Sequence, residues 1–525
     1  MDTVGQNNIQ QQPVTKKIIQ NTLYNSLGVI CISIFSLLLT PIIIRYVGVE
    51  RFGVWAIANV LVAYLGLLDF SMSNPVVKYA SEYNALKDEI QLNQLVNTGF
   101  VFYSVLAAGI LIIGLLSANV ITGFFALPAA LFPEALFVIK IAMLSFACFI
   151  LFNIFTSVLV GLQRMDISNA ILMGNSAVNF IATIIVLRAG YGLKGLILVN
   201  LLVTIVAGIF TSFTVFKIFT ALTFNPFAFN KQTFKKLFGF GLQLHLGKLA
   251  FLISFQMDKI LLGRFLSINA VAFYELGSKI TFTMRRLSLL LVSAMVPVAS
   301  EISVSRDRSA FNDFYLRSSR YLILISIPFF LFGIWNAGWI LTAWLGRTYD
   351  ESIWVIRILG FGYLVNVLTG VASISTIGIG KPRIEMKYSL LVAPLNVFLS
   401  ILFILKFGVI GAACATAISL GIGAVYYFKI FHMVLDKPLN EIASAVFKAF
   451  IVSLFANLLL FPINYLATYM GGLPLRVSSI IILSIKGILL CLIYFKLIVR
   501  VSFFDKQDLD FIRQRFAFMR PFIHP

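Results

Sequence analysis

Charged side chains are scarce in this sequence. Only 12% of its 525 residues carry a formal charge, whereas 60% are apolar. Soluble globular domains average about 25% charged residues, so this composition excludes a water-soluble chain of ordinary type. Apolar runs of roughly 20 residues recur along the sequence, and each is long enough to cross about 30 Å of hydrocarbon as a helix. The composition therefore indicates a polytopic membrane protein.

Acidic residues and cysteines are also few. There are 21 Asp and Glu against 41 Lys and Arg, which gives a formal net charge of +20. The basic residues are spread over many short segments, which argues against nucleic-acid binding and fits membrane topology and an anionic substrate. Cys31, Cys148, Cys414 and Cys491 show no CxxC or metal-ligand spacing, so we expect no metal and no other cofactor.

Long loops are absent as well. The longest predicted outward connection, near residues 119–134, leaves no room for a soluble catalytic domain, so we expect a protein that is not an enzyme. About fourteen spans account for most of the chain. Their approximate limits are 18–44, 52–73, 95–118, 135–160, 168–188, 192–216, 237–262, 270–300, 319–342, 353–378, 387–405, 410–433, 446–468 and 476–499.

The distribution of Lys and Arg predicts the topology. Alternate connections are rich in cations, which places both termini in the cytoplasm. The polar first 17 residues lack a small-residue cleavage site, so we expect the first helix to be retained. The predicted segments are a cytoplasmic tail 1–17, an N-lobe 18–216, a cytoplasmic linker 217–236, a C-lobe 237–433, two further helices in 446–499 and a cytoplasmic tail 500–525.

Weak internal similarity predicts a repeat. GLQRMDI at 161–167 aligns with GIGKPRI at 378–384, and YGLKGLILVN at 191–200 aligns with FGVIGAACAT at 407–416. A third pair, 45–55 and 264–274, lies at a similar spacing of 219 residues. Each unit contains an even number of predicted helices, so we expect an all-α fold of two six-helix lobes in parallel repeat followed by two helices. Chance likeness between glycine-rich turns is the alternative.

Cations inside the predicted spans are the candidate substrate site. A charge at the centre of a membrane helix costs at least ~2.5–3.5 kcal/mol on insertion scales, so each one needs a partner or a function. Spans seven and eight carry such side chains along one face, and span fourteen carries Lys486. The sequence places no Asp or Glu at comparable depth, so we expect an anion or water to complete the site. The substrate-binding candidates are His245, Lys248, Lys279, Arg285 and Arg286.

Other interpretations of these residues stay open. Incorrect span limits would place the same cations in wet, structural positions, and Lys486 can face the two C-terminal helices instead of a cavity. Asp69 and Asp258 lie near span ends. Either can carry a coupling H⁺ or Na⁺, and either can be a local partner for a cation or a helix cap.

The segment RYVGVERFGVWAIANVLVAYLGLLDFSMSNPVVKYASEY at 45–83 resembles the opening signature of the polysaccharide-exporter and O-antigen flippases. One departure is Phe70–Ser71, where that family usually has Gly after the Asp. The blocks at 258–280 and 295–301 look like matching family segments. The signature positions that match are Gly48, Phe52, Gly53, Tyr64, Asp69 and Lys78.

The resemblance implies a fold shared with multidrug and toxin extrusion (MATE) exporters and lipid II flippases, with a cavity between two lobes. It also implies alternating-access transport of an undecaprenyl-pyrophosphate-linked oligosaccharide across the bacterial inner membrane, for O-antigen, capsule or exopolysaccharide assembly. The implied partners are this substrate, membrane lipids, and a polysaccharide polymerase and chain-length regulator.

Two other functions are compatible with parts of the sequence. A cation-coupled multidrug exporter of the same fold would offer buried carboxylates to its substrate, whereas the deep positions here are cationic. A polysaccharide polymerase or ligase would resemble its family in carrying a large outward loop, which this chain lacks. The triplet Asp508–Leu509–Asp510 resembles a glycosyltransferase metal site, but it lies in a short tail without a nucleotide-binding fold.

Overall fold

The structure is a computed structural model, and it describes residues 28, 30–225, 229–293, 295, 308–381, 383–435, 439–470 and 472–504. The predicted tail 1–17, most of the predicted tail 500–525 with Asp508 and Asp510, and most of the family-like block 295–301 lie outside the described residues. The chain folds into two compact units, 1–272 and 273–525.

The first unit is helical throughout its described residues. Short 3₁₀ turns at Gly66–Asp69 and Ala129–Leu131 join some of the helices. The helices are α1 (Ile30–Val47), α2 (Val49–Leu65), α3 (Ser73–Ala85), α4 (Glu89–Phe124), α5 (Phe132–Gly161), α6 (Met165–Arg188), α7 (Gly192–Ile218), α8 (Lys231–Phe265) and the first residues of α9 (Ile268–Ser293).

The second unit is equally helical within the part that the structure describes. A 3₁₀ turn at Phe461–Tyr465 precedes its shortest helix. Its helices are the rest of α9, then α10 (Arg308–Trp335), α11 (Ala337–Leu345), α12 (Asp350–Leu368), α13 (Gly370–Gly378), α14 (Arg383–Leu435), α15 (Asn440–Leu459), α16 (Leu466–Tyr469) and α17 (Leu475–Arg500).

Eleven helical segments of the described chain are long and apolar enough to cross a membrane. One of them, α14, consists of two helices joined at Gly408, where φ is 60° and ψ is −134°. The helices α8 and α9 do not belong to the eleven. They correspond to predicted spans seven and eight, the two that carry the stripes of charged residues. The multi-pass membrane architecture is confirmed, and the exact count of fourteen spans stays a prediction.

The two units repeat the same turn geometry. The helix ends after α5 and α13 are closed by a residue with positive φ, Gln163 at 59° in the first unit and Gly380 at 70° in the second. The next amide nitrogen, of Arg164 or Lys381, bonds the carbonyl five residues earlier at 3.1 and 3.0 Å. This 6→1 bond is typical of a Schellman C-cap. The two left-handed residues lie 217 residues apart, as the sequence repeat predicts.

A second pair of turns, with a glycine in each unit, also has left-handed residues at matching positions. Gly192 begins α7 with φ at 55°, and Gly408 bends α14 with φ at 60°. Three residues later, a side chain on Gly195 would collide with Val186 and Tyr191, and one on Gly411 with the backbone of Phe403. Both turns therefore need glycine for a left-handed backbone and for close helix packing.

The unit boundary differs in place from the predicted linker. The first unit ends within α9, between Ala272 and Phe273, so α8 packs with the first unit against α2, α3 and α4. The core of the first unit is formed mainly by α3, α4 and α5, around buried side chains such as Val76, Tyr103 and Phe155. The predicted lobe limits 18–216 and 237–433 remain a sequence-based division.

Candidate functional site

Asp69 occupies a sharp bend between α2 and α3. It ends the 3₁₀ turn, and the next two residues, Phe70 and Ser71, have positive φ values of 48° and 56°. Its carboxylate is buried, with the residue 5% exposed. The hydroxyl of Tyr103 donates to Asp69 Oδ1 at 2.7 Å, and that of Ser73 donates to Oδ2 at 3.4 Å. These bonds compensate for part of the cost of burying a carboxylate.

Lys248 on α8 lies beside this carboxylate. Its Nζ is 3.9 Å from Asp69 Oδ2 and donates a 2.9 Å hydrogen bond to the Gly66 carbonyl. The lysine side chain is 41% exposed, so its charge is only partly removed from solvent. The expectation that no acid lies at the depth of Lys248 was wrong, because Asp69, the last residue of the 3₁₀ turn, lies beside its ammonium. Lys248 as a substrate contact stays a prediction.

His245 precedes Lys248 by almost one helical turn. Its ring centroid lies 5.2 Å from that of Phe70, the residue after Asp69. The Nδ1 atom of His245 is buried and has no hydrogen-bond partner among the described atoms. The structure thus places His245, Lys248 and Asp69 around one bend of the first unit.

Asp258 and Lys259 occupy a different position further along α8. Both side chains are buried. Lys259 Nζ donates to Gln256 Oε1 at 2.8 Å, and the Tyr64 hydroxyl donates to the nearby Leu252 carbonyl at 3.3 Å. Asp258 lies ten residues after Lys248 on the same helix, about 15 Å along its axis, so it is separate from the Asp69 bend. Its assignment as a coupling or structural residue stays a prediction.

Arg285 in the second unit belongs to a polar network. Its Nε donates to Asn366 Oδ1 at 2.8 Å, and Asn366 Nδ2 donates to the Tyr388 hydroxyl at 2.8 Å. The guanidinium carbon lies 5.8 Å from the Phe282 ring centroid. Asn366 is a neutral acceptor, so it orients the guanidinium without adding a negative charge. Arg286, the next residue, is exposed.

The same network extends along α13 and α14. Ser373 donates to Glu385 at 3.0 Å, and the Tyr427 hydroxyl donates to Thr376 Oγ1 at 3.0 Å. The rings of Tyr388 and Tyr427 lie 5.5 Å apart, which links the two branches. Sequence reasoning missed these residues. The signal that could have found them was two polar residues, Asn366 within predicted span ten and Glu385 just before predicted span eleven.

The remaining cations singled out within the predicted spans are Lys279, a substrate-binding candidate, and Lys486. Lys279 is half-buried in α9. Lys486 in α17 is 1% exposed, and its ammonium donates to Asn336 Oδ1 at 2.8 Å and to Asn464 Oδ1 at 2.5 Å. Trp339 also donates to Asn464 Oδ1, at 2.8 Å. Lys486 therefore contacts Asn464 among the C-terminal helices, as its alternative interpretation proposed, and also Asn336 at the α10–α11 junction, which that interpretation did not include.

The start of α4 holds the segment that follows α7. Asn93 Nδ2 donates to the Ala221 carbonyl at 2.9 Å, and the Thr223 amide donates to Asn93 Oδ1 at 2.7 Å. Asn97 repeats the pattern one turn later, bonding the Thr223 carbonyl at 3.0 Å and the Asn225 amide at 2.9 Å. Two asparagines thus clamp the first part of the predicted linker against the first unit.

A basic and aromatic cluster lies nearby on α3 and α8. Lys236 Nζ donates to the Tyr83 hydroxyl at 3.0 Å and lies 4.1 Å from the Tyr79 ring centroid. The Tyr83 hydroxyl accepts this bond. The bond stabilises the charged ammonium and so raises the pKa of Lys236. Lys78 approaches the same Tyr79 ring at 4.9 Å.

Among the described residues, no group of three or more His, Cys, Asp or Glu side chains could hold a metal ion. The four cysteines are not paired with one another.

Comparison with known proteins identifies the family. A family model described as a polysaccharide biosynthesis protein matches residues 18–303, more than half of the chain. The chain belongs to the polysaccharide biosynthesis protein family. A second model, described as MatE, matches residues 245–402.

One relative extends the match beyond this region. A Shigella flexneri protein named "Putative O-antigen transporter" is 22% identical over 409 residues, covering 76% of this chain and 94% of the relative. The polysaccharide biosynthesis family membership expected from the 45–83 signature is therefore confirmed.

Two solved structures show the fold. The lipid II flippase MurJ superposes with a TM-score of 0.67 at 16% identity, covering 89% of this chain and 98% of the flippase. A multidrug resistance MATE family transporter of the MOP superfamily also gives a TM-score of 0.67, at 15% identity, and the match covers 79% of this chain and 94% of the transporter. This polysaccharide biosynthesis family member therefore has a MATE-like fold, as expected.

Proposed function

We propose that the chain is a flippase that moves an anionic lipid-linked oligosaccharide from the cytoplasmic to the outer leaflet of the bacterial inner membrane. The substrate we propose carries an undecaprenyl-pyrophosphate anchor, and the product enters O-antigen, capsule or exopolysaccharide assembly. Transport occurs by alternating access, with the binding site open first to one leaflet and then to the other. In this proposal the protein is a transporter and not an enzyme.

The main support is the arrangement around Arg285. Its Nε is bound by the neutral Asn366, whose own amide is held by Tyr388. A guanidinium fixed in this way is pre-organised to bind phosphate oxygens in bidentate fashion. Arg286 adds an exposed cation at the next position. A pyrophosphate is the part of the substrate that these cations fit.

The first unit contributes a second polar group to the proposal. Lys248 is half-exposed beside Asp69, and His245 lies almost one turn away on the same helix. We propose that Lys248 and His245 contact the substrate and that Lys279 does so with the arginines of α9. The name of the Shigella flexneri relative and the fold shared with the lipid II flippase support transport of a lipid-linked saccharide.

A cation-coupled multidrug exporter is the alternative. The MatE match at 245–402 and the MATE transporter fold favour it. A buried carboxylate, Asp69, is also present. However, an exporter of organic cations needs carboxylates open to the substrate, whereas Asp69 is enclosed by Tyr103, Ser73 and Lys248. H⁺ or Na⁺ coupling through Asp69 or Asp258 is compatible with either function.

The proposed function can be tested in a strain that lacks its own flippase and supplies the matching lipid-linked repeat unit. The wild-type chain restores surface polysaccharide, whereas Arg285→Ala and Arg286→Ala, at equal membrane abundance, restore much less. Phe398→Ala, on an exposed part of α14, is the control and restores it fully. Full restoration by both arginine variants would show that the anion site lies elsewhere, and multidrug resistance without polysaccharide would favour the exporter.

The orientation and partners also stay proposals. With both termini in the cytoplasm, Leu127→Cys and Leu473→Cys in a cysteine-free background label from the outer side. Labelling only from the cytoplasmic side contradicts this topology. A polymerase and a chain-length regulator are the protein partners expected for a flippase in such a pathway, and co-purification with them is the corresponding test.

A further inference from the structure

A polar and aromatic cleft of about 700 Å³ lies in the first unit, between the start of α4 and residues 221–225 and 229–230. Its lining residues include neither the residues of the Asp69 bend nor the arginines of α9. Its walls combine carboxylate, amide and hydroxyl groups with the exposed rings of Phe224 and Phe229. The transport proposal above uses none of these side chains.

The length of α4 places this cleft outside the hydrocarbon. The helix has 36 residues, which corresponds to about 54 Å at 1.5 Å per residue. The hydrocarbon core is only about 30 Å thick, so one end of α4 projects into the aqueous or headgroup region. The only charged residue of α4, Glu89, and the side chains of Asn93, Gln94 and Asn97 lie within its first nine residues, so the N-terminal end projects.

One wall of the cleft is fixed before any ligand binds. Asn93 and Asn97 use both the nitrogen and the oxygen of their amides to hold the backbone of 221–225. The amide of Asn230 donates to Thr98 Oγ1 at 3.1 Å, and its side chain donates to Gln94 Oε1 at 3.3 Å. Residues held by such bonds lose little conformational entropy on binding.

The remaining groups suit a carbohydrate. The Glu89 carboxylate can accept hydrogen bonds from sugar hydroxyls, and the amide nitrogen of Gln94 can donate to them. Phe229 is 49% exposed and Phe224 is 38% exposed, so each offers a flat apolar surface to the C–H face of a sugar ring. A hydrocarbon chain would leave the polar groups without hydrogen bonds, and a phosphate would be repelled by Glu89.

We infer that this cleft binds the saccharide part of the substrate on the side of the membrane where residues 89–98 project. The inference rests on the proposed flippase function and deepens it. The cleft selects the oligosaccharide, whereas the cations of α8 and α9 bind its phosphate groups. On the topology predicted from the basic residues, this is the cytoplasmic side, where the substrate is loaded.

The test uses the purified full chain in lipid nanodiscs and an array of free, lipid-less oligosaccharides as the probe. The wild-type chain binds a subset of the array. Phe229→Ala and Glu89→Gln each weaken binding of that subset roughly tenfold, the effect expected for losing one good contact. Phe229→Trp retains binding, and Phe398→Ala, which also removes an exposed phenylalanine, leaves it unchanged.

A protection experiment checks the location. In a cysteine-free background, Phe229→Cys reacts with a maleimide, and a bound oligosaccharide slows that reaction, whereas Leu473→Cys, in a predicted outward connection, reacts at the same rate with or without it. Absence of binding to any oligosaccharide, or binding unaffected by both cleft variants, overturns the inference. Movement of a lipid-linked saccharide across proteoliposomes is measured in parallel. If that movement persists without cleft binding, only the cleft assignment fails, and if both are absent, the proposed function fails too.

Discussion

The ammonium of Lys248 lies 3.9 Å from the buried carboxylate of Asp69. These residues are 179 positions apart in sequence, on α8 and at the α2–α3 bend. The carboxylate has a shorter and more buried contact with Tyr103, at 2.7 Å. The two contacts therefore differ in strength, and this difference gives the first prediction.

Removing the Tyr103 hydroxyl costs more stability than removing the Lys248 charge. Tyr103→Phe leaves Asp69 Oδ1 buried without its donor and lowers the free energy of unfolding by about 1–3 kcal/mol. The Asp69–Lys248 pair is half-exposed, so its coupling energy in a double-mutant cycle is about 1 kcal/mol or less. Thermal unfolding of the detergent-purified variants measures both. A coupling energy larger than the Tyr103→Phe loss would contradict this ranking.

The second prediction concerns Lys486. Asn464→Leu removes an acceptor and leaves a buried cation poorly solvated, so it destabilises the protein by about 3–5 kcal/mol. Lys486→Met removes the charge itself and costs less, about 1–3 kcal/mol, mainly for the acceptor left on Asn336. The same unfolding assay compares the two variants. If Lys486→Met is the more damaging, the lysine has a role beyond its contacts with the two asparagines.

The third prediction uses the repeated turns. Gln163 has φ at 59°, where a side chain is strained, whereas its repeat partner Gly380 at 70° is free of that strain. Gln163→Gly therefore stabilises the protein by about 0.5–1 kcal/mol, and Gly380→Ala destabilises it by about 1 kcal/mol. The expected shifts in melting temperature have opposite signs. Shifts of the same sign would mean that local contacts outweigh the backbone conformation.

The fourth prediction concerns the clamp on the segment after α7. Asn93→Ala removes bonds to Ala221 and Thr223, so the Thr223 amide exchanges its hydrogen roughly tenfold faster or more. Asn59→Ala is the matched control, since Asn59 bonds only a carbonyl of its own helix. Hydrogen exchange with mass spectrometry measures the exchange rate of the Thr223 amide in both variants. Equal exchange in the two would mean that the asparagines do not hold this segment.

Much of the fold could be predicted from the sequence because membrane helices leave a strong local signal. The apolar runs were enough to predict most of the helices, and the glycine-rich turns at 161–167 and 378–384 were enough to predict the repeat. The helix break at Asn336 was not predicted, because α10 and α11 form one continuous apolar run. The unit boundary within α9 was not predicted either, since packing between helices distant in sequence decides it.

The candidate site was less accessible to sequence reasoning. Deep cations could be found, because a charge in an apolar run is conspicuous. Their partners could not be found, because only the tertiary structure brings the partners close. Asp69 lies beside Lys248, Asn366 beside Arg285, and Asn464 beside Lys486. The α4 clamp was missed for the same reason. Asn93 and Asn97 precede an apolar run and bind backbone about 130 positions later.

The most direct test of the central claim is movement of a lipid-linked saccharide by the purified protein. The full chain is reconstituted in liposomes with a fluorescent polyprenyl-pyrophosphate oligosaccharide, and a membrane-impermeant quencher reports the outer-leaflet fraction over time. We predict that the wild-type chain speeds the exchange between leaflets well above that of protein-free liposomes, and that Arg285→Ala loses most of this increase. Exchange in the wild-type liposomes no faster than in protein-free ones would contradict the account.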